Sequence, residues 1–128
     1  IAVSGVSTVA IMPNDVENFP TDHPDRMGPF AAESGWAFPY LYDERQEVAK
    51  AWSAACTPDF FLLDGEERLF YAGQFDSSRP GSGIEATGAD LRVAVDALLS
   101  GGEAPGDSSP SSGCNIKWKA GNEPPYFG

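Results

Sequence analysis

The stretch DFFLLDGEERLFYAG, residues 59–73, constrains this chain more than any other. Two apolar runs flank Asp64-Gly65-Glu66-Glu67, which has turn composition, so the runs fold back on each other as a hairpin. The first run is continuously apolar instead of alternating, the pattern of a strand buried on both faces. Such a strand needs covering layers, and the flanking sequence supplies helices. Thr21 or Asp22 caps one of them, with Pro24 in its first turn, Met27, Phe30 and Ala31 at helical spacing, and Gly35 as a stop. Asp43 opens a second, with Gln46 as capping-box partner and Val48, Ala49, Trp52 and Ala55 on one face. Thr87 and Asp90 cap a last helix whose apolar stripe is Leu91, Val95 and Leu98. Val6–Met12 reads as a β-branched strand, Phe38–Tyr42 as a short extended link, and Trp36 and Trp52 as core. The order strand, helix, helix, strand, hairpin strand, helix predicts an α/β fold: a central mixed sheet with helices on both faces.

At 128 residues the chain is long enough for one domain with its own core. A net charge of −11 argues against nucleic acid, which needs clustered Lys and Arg, and against anionic membrane surfaces. No apolar run approaches the roughly 18 residues of a spanning helix, so no membrane insertion is expected. The apolar start IAVSGVSTVAIM lacks a basic n-region and reads as a buried strand, not a secretory signal. A soluble protein of the cytoplasm or an organelle interior is the expectation. Opening inside a strand predicts a native polypeptide longer at its N-terminus, or another chain covering that sheet edge.

Two cysteines and one histidine are too few for a disulfide scaffold or a structural zinc site. His23 reads as an exposed turn residue. Asp15, Asp22 and Asp25 lack the spacing of a calcium loop, and Gly81 and Gly83 precede no phosphate-cradle motif. No cofactor and no metal is expected. Residues 1–100 form the expected folded domain, 101–113 a flexible Gly/Ser/Pro linker, and 114–128 a docking tail whose Ile116, Trp118, Tyr126 and Phe127 pack on the domain or a partner.

The chemistry-bearing candidates are the two cysteines. Cys56 has a bland reading as a small buried hydrophobe and a sharper one as a thiol beside Thr57-Pro58, where a cis bond is expected. Neighbours in sequence offer no cation to lower its pKa, although Lys50 could approach from the preceding helix. Cys114, after the linker, is either a thiol without a role or a resolving partner carried on a mobile tail. Docking of the tail beside Cys56 would allow a disulfide only if the two Cα atoms come within about 7 Å.

The blocks TVAIMPND, PYLYD, VAKAW, ACTPDFF and GQFDSSRPG, with GCNIKWK in the tail, resemble the AhpC/TSA (peroxiredoxin-like) branch of thioredoxin-fold proteins, in a thioredoxin-like subgroup. The resemblance runs from Val6 to Lys119. It implies a thioredoxin-like fold, Pro58 as the cis-proline facing the redox centre, and Thr57 offering backbone to a substrate. The family's main nucleophile sits on an earlier strand-turn-helix, in a C-x-x-C or peroxidatic motif that is absent from these residues. The implied function is that of a thiol–disulfide oxidoreductase or peroxiredoxin-like protein without its primary redox motif. Cys56 and Cys114 would be its catalytic residues and Thr57 and Pro58 its substrate contacts, with protein thiols, disulfides or peroxide as reactants. The alternative is a non-catalytic thioredoxin-fold binding or assembly subunit.

Overall fold

Turn chemistry places the hairpin where the sequence predicts it. Asp64 N–H donates to the Arg68 carbonyl, and the Asp64 carboxylate accepts from the Glu66 and Arg68 amides, closing the turn. The computed structural model describes residues 5–106 and 108–127. Their elements are β1 (Ala10–Met12), α1 (Pro24–Glu33), β2 (Tyr40–Tyr42), α2 (Glu47–Ala51), β3 (Cys56–Thr57), β4 (Phe60–Leu63), β5 (Leu69–Gly73), α3 (Ala89–Leu99) and β6 (Cys114–Asn115). The protein is thus a small α/β chain. Among the described residues no helix is long and apolar enough to cross a membrane.

The expected central mixed sheet is replaced by three two-stranded ladders among the described residues: β1–β2 parallel, β3–β6 antiparallel and β4–β5 antiparallel. The strands are short, and backbone groups at their ends bond to loops instead of to further strands, as Gln74 N–H does to Ser109 O. The strand expected over Val6–Met12 shortens to Ala10–Met12, while the extended link gains a partner as β2. Ile1–Ser4, and with them the expectation about the chain's opening edge, lie outside the described residues.

All three expected helix caps are corrected. His23, not Thr21 or Asp22, caps α1, its Nδ1 accepting from the Asp25 amide at 3.1 Å. Gln46 caps α2 only by position, at φ 60°, and makes no capping box; Asp43 instead accepts from Ala49 N–H. Gly88, at φ 72°, precedes α3, and the Asp90 carboxylate is turned to Gln74. Both capping-box side chains have found tertiary partners.

By contact the chain forms two compact units. One comprises the described residues up to Ala55 together with those from Ile116 onward; the other spans Cys56–Asn115. Met12, Met27, Ala49, Ala54 and Ile116 form the buried apolar set of the first unit, and Cys56, Leu62, Tyr71, Ala94 and Val95 that of the second. The FFLL strand is less covered than its composition suggests. Only Leu62 is buried, because β4 pairs on one side alone. Trp52 is 39% exposed and Trp36 half-buried, so neither is deep core; Trp36 instead clusters with Phe30, Phe38 and Tyr40.

The tail docks on the first unit through a polar hub. Gln46 is fully buried, and its amide nitrogen donates to Pro13 O and Lys117 O at 2.7 and 2.9 Å. Its amide oxygen accepts from Lys119 N–H and Asn122 Nδ2 at 3.0 and 2.8 Å. Every donor and acceptor position of that amide is therefore used. Asn14 Oδ1 takes the Lys117 amide, and the Tyr126 hydroxyl lies within bonding distance of Ala49 O and Ala54 O. Ile116, 3% exposed, supplies the apolar anchor.

Candidate functional site

The second unit carries both cysteines, and one short ladder brings them side by side. In the β3–β6 pairing Cys56 faces Asn115 and Thr57 faces Cys114. Successive strand residues point to opposite faces, so Cys114 shares the face of Thr57, and Cys56 shares that of Asn115. Burial agrees: Cys56 is 8% exposed while Cys114 is open to solvent, and both are free thiols. Neighbouring register positions bring the two residues close, but side chains aimed at opposite faces do not meet. The tail therefore returns Cys114 beside Cys56 without joining the two.

The Thr57–Pro58 peptide is cis, as the sequence reading expects. The Cys56 thiol lies 3.7 Å from the Pro58 carbonyl, and Thr57 Oγ1 is 3.5 Å from Cys114 O. Gly113 makes the close approach possible, because a Cβ there would run into the Thr57 carbonyl oxygen. Beside the ladder the supposed linker is tied to the unit: Ser109 O accepts from Gln74 N–H, and the Ser111 hydroxyl donates to Gly73 O.

Burial pushes the Cys56 thiol up from its ordinary pKa, the Asp59 carboxylate adds to that, and the Arg79 guanidinium acts in the opposite direction. Arg79 is thus a cation within electrostatic reach of the thiol. Lys50 is engaged elsewhere, its ammonium donating to Asn122 Oδ1 at 2.5 Å. Arg79 was legible only as a loop residue inside GQFDSSRPG. The signal for it was a single Arg set among Gln74, Asp76 and Ser78, side chains able to hold a guanidinium.

That loop is built from buried polar groups. Gln74 and Asp76 are 7% and 5% exposed. Asp76 accepts from the Ser78 hydroxyl and the Gly88 amide, which hold its carboxyl below the usual range. Gln74 Nε2 donates to Asp90 at 2.6 Å, and Gln74 Oε1 accepts from Arg79 Nη2 at 2.6 Å. Arg79 Nη1 donates to Asp76 O at 3.0 Å and Ser78 O at 2.7 Å.

Two open concavities of about 360 and 270 Å³ lie elsewhere, one lined by Ile11, Leu41 and Val48, the other by Tyr71, Asp90 and Pro105; neither is lined by Cys56, Thr57 or Pro58. Among the described residues no group of three or more His, Cys, Asp or Glu side chains could hold a metal ion.

Two solved structures share this arrangement of the backbone. A hypothetical protein from Sinorhizobium meliloti is 56% identical with a TM-score of 0.89, over 91% of this chain and 64% of that one. An uncharacterized conserved protein from Geobacillus kaustophilus is 56% identical with a TM-score of 0.87, over 90% of this chain and 61% of that one. The chain therefore spans less than two thirds of either protein's length. No protein-family model and no curated protein matches it.

Proposed function

We propose that this chain is a thioredoxin-fold thiol–disulfide exchange protein of the AhpC/TSA type, reacting through Cys114 and Cys56 with Thr57-Pro58 as the adjoining contact surface. The observation that carries this reading is the β3–β6 register, which sets an exposed and a buried thiol at neighbouring positions of one ladder. Cys114 is the entry thiol. It gives its proton to solvent, its thiolate attacks a sulfur of the incoming disulfide, that S–S bond breaks, and the partner leaves as a thiolate from a mixed disulfide. Disulfide exchange is favoured over peroxide reduction, since a peroxidatic cysteine needs a depressed pKa and the Cys56 thiol is pushed up.

The reduced 128-residue chain, mixed with oxidised glutathione and mapped by mass spectrometry, tests the proposal. The adduct is expected first at Cys114, forming at least tenfold faster in the native chain than in the same chain unfolded in urea. A native rate no higher than the unfolded rate overturns it.

A second reading, a non-catalytic binding or assembly subunit, is favoured by one feature of the first unit. Ile11 and Leu41, paired across β1–β2, and Val48 of α2 are 43%, 51% and 40% exposed and line one open concavity. Apolar side chains grouped in this way are ordinarily covered. Concentration-dependent self-association or partner capture that is lost in Leu41→Glu, with no native thiol advantage, would select this reading.

A further inference from the structure

We propose that the open side of the β1–β2 ladder is an internal interface of a longer polypeptide, covered by an apolar segment that the Sinorhizobium meliloti and Geobacillus kaustophilus proteins carry outside the matched region. Nothing in this proposal depends on the thiol chemistry, so either can fail alone. It gives the exposed face of the second reading an occupant.

The ladder pairs Ala10 with Tyr40, Ile11 with Leu41 and Met12 with Tyr42. Side chains alternate along a strand, so Ile11 and Leu41 share one side and the flanking pairs share the other. That other side is occupied: Met12 is 5% exposed, and Phe30 of α1 reaches the Tyr40 ring at 6.2 Å between centroids. The Ile11–Leu41 side is exposed, and Val48 of α2 extends its apolar surface along a concavity that Glu44, Arg45 and Glu47 also line. Parallel strands are ordinarily covered on both sides. Among the described residues β1 and β2 pair only with each other, and two strands of three residues are marginal without further cover.

Charge and area weigh against a second copy as that cover. A two-fold contact sets the Glu44 and Glu47 carboxylates against their own images and joins two chains of net charge −11. Three partly exposed aliphatic side chains also fall well short of the about 800 Å² per partner that a stable two-chain interface buries. A tethered segment needs far less, because its effective concentration is on the order of millimolar before any other contact is made. The two relatives have chain to provide one. Each matches nine-tenths of this chain at 56% identity, and each has more than a third of its own length outside the match. An apolar stretch of that additional chain, laid on Ile11, Leu41 and Val48, gives the ladder its second covering layer.

A reporter thiol tests this. Leu41→Cys in the Cys114→Ser background is labelled with a maleimide and read by peptide mapping. The 128-residue chain is compared with the same chain fused to the residues that the Sinorhizobium meliloti protein has outside the match, placed as that protein carries them. The fusion is expected to slow labelling of Leu41→Cys at least tenfold. Leu69→Cys, at an exposed leucine of β5, is expected to label equally fast in both.

Unchanged labelling of Leu41→Cys in a fusion with native circular dichroism overturns the proposal, since the added segment then lies elsewhere. Equal slowing at both positions overturns it as well, because the added chain then hinders the reagent without regard to this face. Labelling of the unfused chain that slows as its concentration rises overturns it in favour of a second copy. Should the fusion fail to fold, the intact Sinorhizobium meliloti protein decides, with the cysteine at the position aligned with Leu41. Labelling at least tenfold slower in the native state than in urea is expected there, and equal rates overturn the proposal.

Discussion

Gln46 and Gln74 are the chain's only glutamines, one buried in each unit, and their amides serve different ends. Gln46 spends all four of its hydrogen-bonding positions on Pro13, Lys117, Lys119 and Asn122. The network closes on itself and binds the tail. Gln74 links the Asp90 carboxylate to the Arg79 guanidinium, which also holds the Asp76 and Ser78 carbonyls of its own loop. The first network ties a distant segment down; the second fixes one loop against the helix that follows it. The difference is one of reach: one amide secures docking, the other the shape of a loop.

The largest effect should come from breaking the closed network. Gln46→Ala leaves the Pro13 and Lys117 carbonyls and the Lys119 amide without their partner, so unfolding free energy should fall by about 2–4 kcal/mol. Relief of the left-handed backbone at φ 60° does not offset this, since Ala is no better suited there. Denaturant unfolding measures the loss, and hydrogen exchange should show Lys117 and Lys119 deprotected. A loss under about 0.5 kcal/mol would mean that Ile116 and Tyr126 hold the tail on their own.

Gly113→Val attacks the other unit and asks which element keeps the tail in place. The added Cβ meets the Thr57 carbonyl oxygen, so β3 and β6 must separate, at about 1–3 kcal/mol. Amide protection at Cys114 and Asn115 should fall while that of Lys117 and Lys119 persists, because the Gln46 hub is untouched. Loss of protection in both segments would show that the ladder, not the hub, secures the tail.

The same contrast explains what could be read from the sequence. The hairpin was legible because its turn is closed by Asp64 within four residues, a local matter of side-chain chemistry. Docking of the tail was legible from Ile116 and Trp118, whose apolar bulk needs cover, whereas Tyr126 and Phe127, expected to pack as well, stay 41% and 54% exposed. The caps were misread for a physical reason: Gln46 and Asp90 stand where a capping box places them, yet each gains more from a distant partner. Gln46 bonds Lys117, 71 residues away, which no local pattern reports. The central sheet was misjudged because apolar composition marks strands but not how many neighbours each will have. At the candidate site Cys56, Thr57, Pro58 and Cys114 were named from the sequence. Arg79 was not, since its bonds to Gln74, Asp76 and Ser78 and its pull on the thiol arise only once the loop is folded.

Gln74→Leu sharpens the comparison at smaller cost. It removes one acceptor from Arg79 and one donor from Asp90 while keeping the buried volume close, for about 1 kcal/mol. The pH midpoint of Cys56 alkylation should move up slightly, because a looser guanidinium offsets burial and Asp59 less well. Stability loss with an unchanged midpoint would give Gln74, like Gln46, a purely architectural part.

The smallest effect is expected at Asp59, whose carboxylate works against Arg79 at the thiol. Burial raises the Cys56 pKa first and Asp59 adds to it, so removing the charge with Asp59→Asn should move the pH midpoint of Cys56 alkylation downward. At pH 8 the rate in the Cys114→Ser background should rise about two- to threefold, the scale of one nearby charge in a partly solvated setting. Stability supplies an independent sign. A thiol whose pKa is raised on folding holds its proton more tightly in the native state. Its contribution is complete below the unfolded thiol's value of about 8.5 and is lost as pH rises through the higher folded value. Asp59→Asn narrows that window, so the alkaline decline in unfolding free energy should become shallower. Arg79→Gln should widen it and steepen the decline. An alkylation midpoint that stays put in Asp59→Asn, or moves up, would remove Asp59 from the electrostatics of the thiol and leave burial as the force opposing Arg79.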